Sequence, residues 1–167
     1  MKRSIGIPVL ILILSSTLLP TWGDEPARLA ELDAYWAEVS RAVGEGDFDA
    51  YKATTHPEGV LVAGTNGSCI PLAKALANWE QDFIDTASGK KKGSVAFRFT
   101  QRLGDATTAH ETGIFLYATL DTEGKTTAEY IHFEGLLVKR GVDWKIMMEY
   151  QKSRATQAEW KALKQTP

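Results

Sequence analysis

"AEYIHFEGLLVKRGVDWKIMMEYQKS", Ala128 to Ser153, reads as a β-hairpin. Two runs rich in Ile, Phe, Leu, Val, Trp and Met flank the turn-like Arg140-Gly141-Val142-Asp143, the pattern of two antiparallel strands. The same stretch carries His132, Glu134, Glu149 and Gln151. Whether these polar groups line a cavity or face water depends on the side of the sheet each occupies. Side chains alternate along a strand, so a one-residue slip in pairing exchanges the faces.

Upstream, the period of two begins near Ser94. Four strands are predicted, about Ser94–Leu103, Ala106–Leu120, Thr126–Lys139 and Trp144–Gln151. Short turns join them, which makes an antiparallel meander. A two-residue turn at Gly104-Asp105 sets Phe99 beside His110 and Arg98 beside Glu111. The Gly141-Val142 turn sets Phe133 beside Tyr150, Gly135 beside Met148 and Glu134 beside Glu149. A four-residue loop, Asp121 to Gly124, collects most large apolar groups on one side, among them Phe97, Phe99, Ile114, Leu116, Ile131, Phe133, Trp144, Ile146 and Met148. The other side then holds Arg98, Arg102, Glu111, His132, Glu134, Lys145, Glu149 and Gln151, interrupted by Phe115 and Tyr117. In this register Arg98, Glu111, Glu134 and Glu149 form an outward row that meets water, a cation or a second subunit.

Helices precede the strands, which makes the chain α+β. Pro26 suits a first helical position, and Leu29, Leu32, Trp36, Val39 and Val43 recur at helical spacing before Gly44. Asp47 caps a second, short helix that His56-Pro57 ends. Gly59 to Gly64 reads as a short strand, and Pro71 opens a third helix with Leu72, Leu76, Trp79 and Phe83 on one stripe. Thr156 and Glu159 form a capping-box pair for a final helix anchored by Trp160.

Lys2 and Arg3, the apolar run Ile5 to Leu14, and small residues at Thr21 and Gly23 read as a signal segment, residues 1–23. An uncleaved anchor is the alternative. The remainder, 24–167, is one domain in size, and the protein is expected to be exported, periplasmic or secreted. It would meet a membrane only through that segment before cleavage. With a net charge of -2 and one basic cluster, Lys90 to Lys92, the chain has no nucleic-acid footprint. The single Cys69 excludes an internal disulfide. It reads as a small buried hydrophobe, with a reactive thiol as the alternative.

The order of elements resembles the nuclear transport factor 2-like superfamily, nearest its SnoaL-like branch and related domains of unknown function. "YWAEVSRAVGEGDFDAYKATTHPEGVLV", Tyr35 to Val62, and "VDWKIMMEYQKS", Val142 to Ser153, carry the resemblance. It covers about 27–153, and the C-terminal helix, about 156–165, extends beyond the common core. The resemblance implies a cone-shaped α+β fold. N-terminal helices pack on a curved antiparallel four-strand meander plus a short extra strand, enclosing a pocket. Members include isomerases, dehydratases, cyclases, hydrolases and non-catalytic binding or assembly domains, and many pair through the outer sheet face. The chain departs from the catalytic members. It lacks the aspartate-tyrosine pair of the steroid isomerases and the arginine-aspartate set of the epoxide hydrolases.

The expected register makes His110, Thr112, Glu129 and Tyr150 the polar groups of the concave side. Tyr35, Trp36, Trp79 and Phe83 from the helices and Phe99 from the sheet would wall the pocket, with His56 at its rim. His110 is the candidate general acid or base, since an imidazole exchanges a proton near neutral pH. Tyr150 is the candidate oxyanion donor. The competing assignments make His110 a satisfied core residue and the aromatics ordinary core. A slip in the middle hairpin would gather His110, His132, Glu134 and Glu149 on one face. No compact metal-ligand motif accompanies them, so neither a metal nor a cofactor is expected. Three functions follow: a pocket for a small apolar molecule, an isomerase, dehydratase or cyclase using His110, and a non-catalytic interaction module. A homodimer through the outer sheet face is expected.

Overall fold

The computed structural model describes residues 24–164. The expected signal segment, residues 1–23, lies outside the described residues. Three helices come first, α1 (Asp24–Glu45), α2 (Phe48–Ala53) and, after two strands, α3 (Leu72–Ala87). The strands are β1 (Thr55–Ala63), β2 (Ser68–Pro71), β3 (Lys91–Gly104), β4 (Thr108–Asp121), β5 (Thr126–Arg140) and β6 (Asp143–Arg154), and α4 (Gln157–Ala162) follows. Among the described residues no helix is long and apolar enough to cross a membrane.

The predicted signals act locally as expected at several points. The Asp47 side chain accepts from the Ala50 N–H at 3.1 Å and starts α2. Thr156 and Glu159 form the reciprocal capping box of α4. Leu72, Leu76 and Phe83 are buried on one stripe of α3.

The sheet has six strands in the order β2-β1-β6-β5-β4-β3, not a four-strand meander with one extra strand. The meander is present, and β1 adds to it parallel to β6, with β2 antiparallel to β1. Ser68–Pro71 carries no alternation long enough to announce a strand, which is why β2 escapes the sequence pattern. It leaves Cys69 exposed rather than buried.

Register departs from expectation at three places. The β3–β4 connection pairs Gly104 with Ala109, so it is not a two-residue turn. Thr100 is then an extra residue in β3, because Phe99 faces Gly113 while Gln101 faces Thr112. Between β4 and β5, Leu120 faces Thr126 across a five-residue loop closed by Asp121 and Lys125. This is the slip that exchanges faces. In β6, Leu137 faces Ile146 as the Gly141 turn predicts, but Leu136 faces Met148, leaving Met147 unpaired.

Each bulge reverses the alternation beyond it. Phe115 and Tyr117 therefore turn under the helices, while Ile114 and Leu116 turn out. Glu149 and Gln151 turn in, and Met148 and Tyr150 turn out. The expected row of Arg98, Glu111, Glu134 and Glu149 does not exist. Arg98 and Glu134 lie outside, and Glu111 and Glu149 lie inside.

The core lies between the inner face and the helices. Leu32 and Leu137 are fully buried, and Phe133 is 1% exposed. Each such side chain stabilises the fold by roughly 2 kcal/mol. Trp36 is the hub, with ring centroids 4.4 Å from Phe97 and 5.6 Å from Phe133.

The outer face is partly covered by α4. Trp160 packs on Tyr130, and the Arg98 guanidinium lies 4.4 Å from its ring. Arg98 also donates to the carbonyls of Trp160 and Leu163. Ile114, turned outward, is 3% exposed on this covered part of the sheet.

Candidate functional site

A cavity of about 350 Å³ lies between the helices and the inner sheet face. Helix α1 contributes Tyr35 and Trp36, α2 contributes Tyr51, and α3 contributes Trp79 and Phe83. The sheet supplies Phe97, Phe115, Tyr117 and Phe133. The exposed members of the lining, Thr65, Asp82, Glu129 and Arg154, make its mouth.

One carboxyl sits deep in this aromatic setting. The Gln151 side chain donates to Glu149 Oε1 at 2.7 Å. Among the described residues no other side chain bonds that carboxyl. Burial raises its pKa against the opposing effect of the Gln151 hydrogen bond. A carboxyl so placed can carry a proton nearer neutrality than an exposed one. Tyr51 stands near it. Burial, then the Glu149 charge and the Tyr35 and Tyr117 phenols, hold the Tyr51 hydroxyl far above its ordinary pKa, so it stays a neutral donor. The Tyr35 hydroxyl is raised chiefly by burial and donates to the Thr54 carbonyl at 3.3 Å.

A second inner-face carboxylate is arranged differently. Glu111 is fully buried, and Arg102 reaches it through Nε at 2.7 Å and Nη2 at 3.1 Å. Trp36 Nε1 donates to its second oxygen, and Arg102 also binds Asp33 on α1. Every strong partner is supplied, and the group closes the end of the core as a structural network.

Of the residues proposed from sequence, Tyr35, Trp36, Trp79, Phe83 and Glu129 line the cavity. Glu129 lies at the mouth, 3.7 Å from Arg154. Phe99 is turned inward but packs in the core beneath Arg102, away from the lining. His56 is buried at the start of β1 and does not reach the rim, and its Nδ1 accepts from the Glu58 N–H at 3.1 Å. His110, Thr112 and Tyr150 are corrected in placement, because the bulges at Thr100 and Met147 and the longer loop turn them to the outer face. There His110 Nε2 is 3.1 Å from Glu134 Oε2, and Lys152 holds the other Glu134 oxygen at 2.6 Å. That lysine, with His110, keeps Glu134 below its ordinary pKa.

The slip gathers His110, His132 and Glu134 on one face, but without Glu149. His132 bonds Ser153 at 3.1 Å and faces Glu159 of α4 at 3.5 Å instead. Among the described residues no three His, Cys, Asp or Glu side chains are grouped to hold a metal ion.

Glu149, Gln151, Phe115 and Tyr117 are the lining groups that sheet parity misplaced, and Tyr51 of α2 is a further lining group not singled out from sequence. The usable signal was a pair of isolated strand glycines. A Cβ on Gly113 would lie 2.1 Å from the Arg98 carbonyl, beside the bulge at Thr100. Gly135 lies opposite Glu149, next to the bulge at Met147.

No protein-family model matches this sequence, and no curated protein matches it. Solved structures do. A protein of unknown function from Mycobacterium tuberculosis, Rv3472, superposes with a TM-score of 0.65 at 12% identity, over 83% of this chain and 78% of that one. An NTF-2-like protein of unknown function from Shewanella oneidensis gives 0.57 at 20% identity, over 73% and 96%. A ketosteroid isomerase-like protein from Erwinia carotovora gives 0.56 at 17% identity, over 77% and 97%. At such identities the likeness is one of architecture, and it agrees with the helices and the mixed sheet: this chain has the nuclear transport factor 2-like fold.

Proposed function

We propose that this chain is an exported pocket protein that binds one small, largely apolar molecule beneath its sheet. The observation that carries this is the aromatic cavity of about 350 Å³ with the half-partnered Glu149 carboxyl inside it. Small-molecule sites combine apolar walls with a few convergent polar groups, and Glu149 is a half-buried carboxyl with one side-chain partner. The export component rests on the sequence of residues 1–23. Pairing of two copies through the part of the outer face that α4 leaves open is supported by exposed Leu103 and Leu136 there. The test is titration with an uncharged fluorescent arylamine such as N-phenyl-1-naphthylamine. Saturable one-to-one binding that Val43→Phe abolishes by filling the cavity is the expected result. Binding that is unsaturable, or indifferent to that substitution, sinks the proposal.

A second reading, proton transfer on a bound carbonyl compound, is favoured by the raised pKa of Glu149 beside the Tyr51 hydroxyl. Glu149 takes the acid-base role first considered for His110. The chemistry requires that the protein catalyse α-hydrogen exchange of a bound ketone in heavy water, and that Glu149→Gln stop exchange while keeping binding. The ketosteroid isomerase-like neighbour makes such chemistry worth testing, although its name speaks for that protein alone.

A further inference from the structure

We infer that the cavity is a receptor for an organic cation, an amine or quaternary ammonium group on an apolar body, with Glu149 as its counter-ion. This deepens the pocket proposal and rests on it. Three carboxylates line the cavity, Asp82, Glu129 and Glu149, against one basic group, Arg154. Two of the three are already matched. Lys91 holds Asp82, and Arg154 faces Glu129 at the mouth. Glu149 has no basic partner among the described residues.

The groups that face Glu149 from the helices are phenols, Tyr35 from α1 and Tyr51 from α2, while Tyr117 of β4 lines the same cavity nearer Asp82 and Glu129. Burial keeps all three hydroxyls protonated well above neutrality. On its own sheet Glu149 has Leu61 of β1 and Gly135 of β5 beside it and Gln151 on its own strand. From α3, Asp82 is the charged lining residue, and it sits at the mouth. The deep part of the cavity therefore offers one ionisable carboxyl and no positive charge.

The rings supply the second half of the recognition. A cation is attracted to the face of an aromatic ring, most strongly where water is excluded. Trp36, Trp79, Tyr51, Phe83 and Phe115 present rings from both walls of the same space. The chain also has the means to neutralise an inner-face carboxylate when it needs only structure, since Arg102 does this for Glu111. No arginine is supplied at Glu149. Gln151 secures Oε1 and leaves the other oxygen for what enters. A bound cation favours the ionised carboxyl, so it would draw the raised pKa back down and release a proton.

The test compares three probes of similar size by calorimetry on the mature chain. They are benzyltrimethylammonium, its uncharged carbon isostere neopentylbenzene, and the ketone phenylacetone. At about pH 8 the cation is expected to bind about tenfold or more tightly than the isostere. Glu149→Gln should erase that preference and leave the isostere's affinity intact, which also reports that the variant is folded. In the wild type alone, cation affinity should rise between about pH 5 and pH 8, while isostere affinity stays flat. Isostere binding without a cation preference overturns the inference and leaves the pocket proposal standing. Tighter binding of the ketone, lost in Glu149→Gln, overturns it in favour of a neutral hydrogen-bond acceptor. Failure of all three probes to bind removes both the pocket proposal and the inference.

Discussion

Glu111 and Glu149 stand on the inner face of one sheet, and their surroundings differ in kind. Glu111 is fully buried, clamped by two bonds from Arg102 and one from Trp36. Glu149 opens on the cavity and holds a single bond from Gln151. Burial alone therefore does not mark a functional carboxyl. What separates the two is whether the chain supplies the compensating charge. At the closed end of the core it does, and the network rigidifies the junction of α1 with β3 and β4. In the cavity it does not, and the uncompensated group is available to a ligand.

The contrast can be broken most severely at its closed end. Arg102→Leu leaves Glu111 buried without its cation, and is expected to cost about 3 kcal/mol or more in chemical denaturation. A loss below about 1 kcal/mol would mean that water or Trp36 alone satisfies the carboxylate. Trp160→Ala, on the outer face, removes the anchor of α4 and exposes Ile114 and Tyr130. A loss of about 2 kcal/mol is expected, with faster hydrogen exchange confined to α4 and the covered strands.

Glu149→Gln should act in the opposite direction and depend on pH. A carboxyl whose folded pKa is raised contributes stability that is fully present below the ordinary carboxylate range and lost as pH rises through the folded value. The variant should therefore match the wild type near pH 4 and melt higher than it near pH 8, as read by calorimetry. A variant that melts lower at pH 8 would place an unseen positive partner beside Glu149. The smallest effect belongs to His110→Ala. Because that side chain points away from the cavity, affinity for any pocket probe should stay unchanged, and a tenfold loss would return His110 to the site.

Much of the fold was legible because helical spacing, caps and turns are local. Asp47, the Thr156–Glu159 pair and the Gly141 turn each act within a few residues. The β5–β6 register was correct as far as Ile146 for the same reason. The site was less legible because it depends on parity accumulated along strands of 12 to 15 residues. Thr100 and Met147 have nothing in their chemistry that marks an extra residue, and the apolar residues of β4 fit either face. Ile114 and Leu116 argued for one register, yet the outer face has its own apolar cover in Trp160, so hydrophobicity could not decide. The helix contribution to the cavity needed no parity, and Tyr35, Trp36, Trp79 and Phe83 were found from sequence.

Met147 gives the strand a property that no substitution supplies. Paired in plain alternation, Met147 would face Leu136, and everything downstream would turn over by half a turn. Met148 and Tyr150 would then enter the chamber as Glu149 and Gln151 left it. Excising Met147 would instead join Ile146 directly to Met148 and keep Glu149 and Gln151 inside, so the acidic lining depends on how this one residue is accommodated in the ladder.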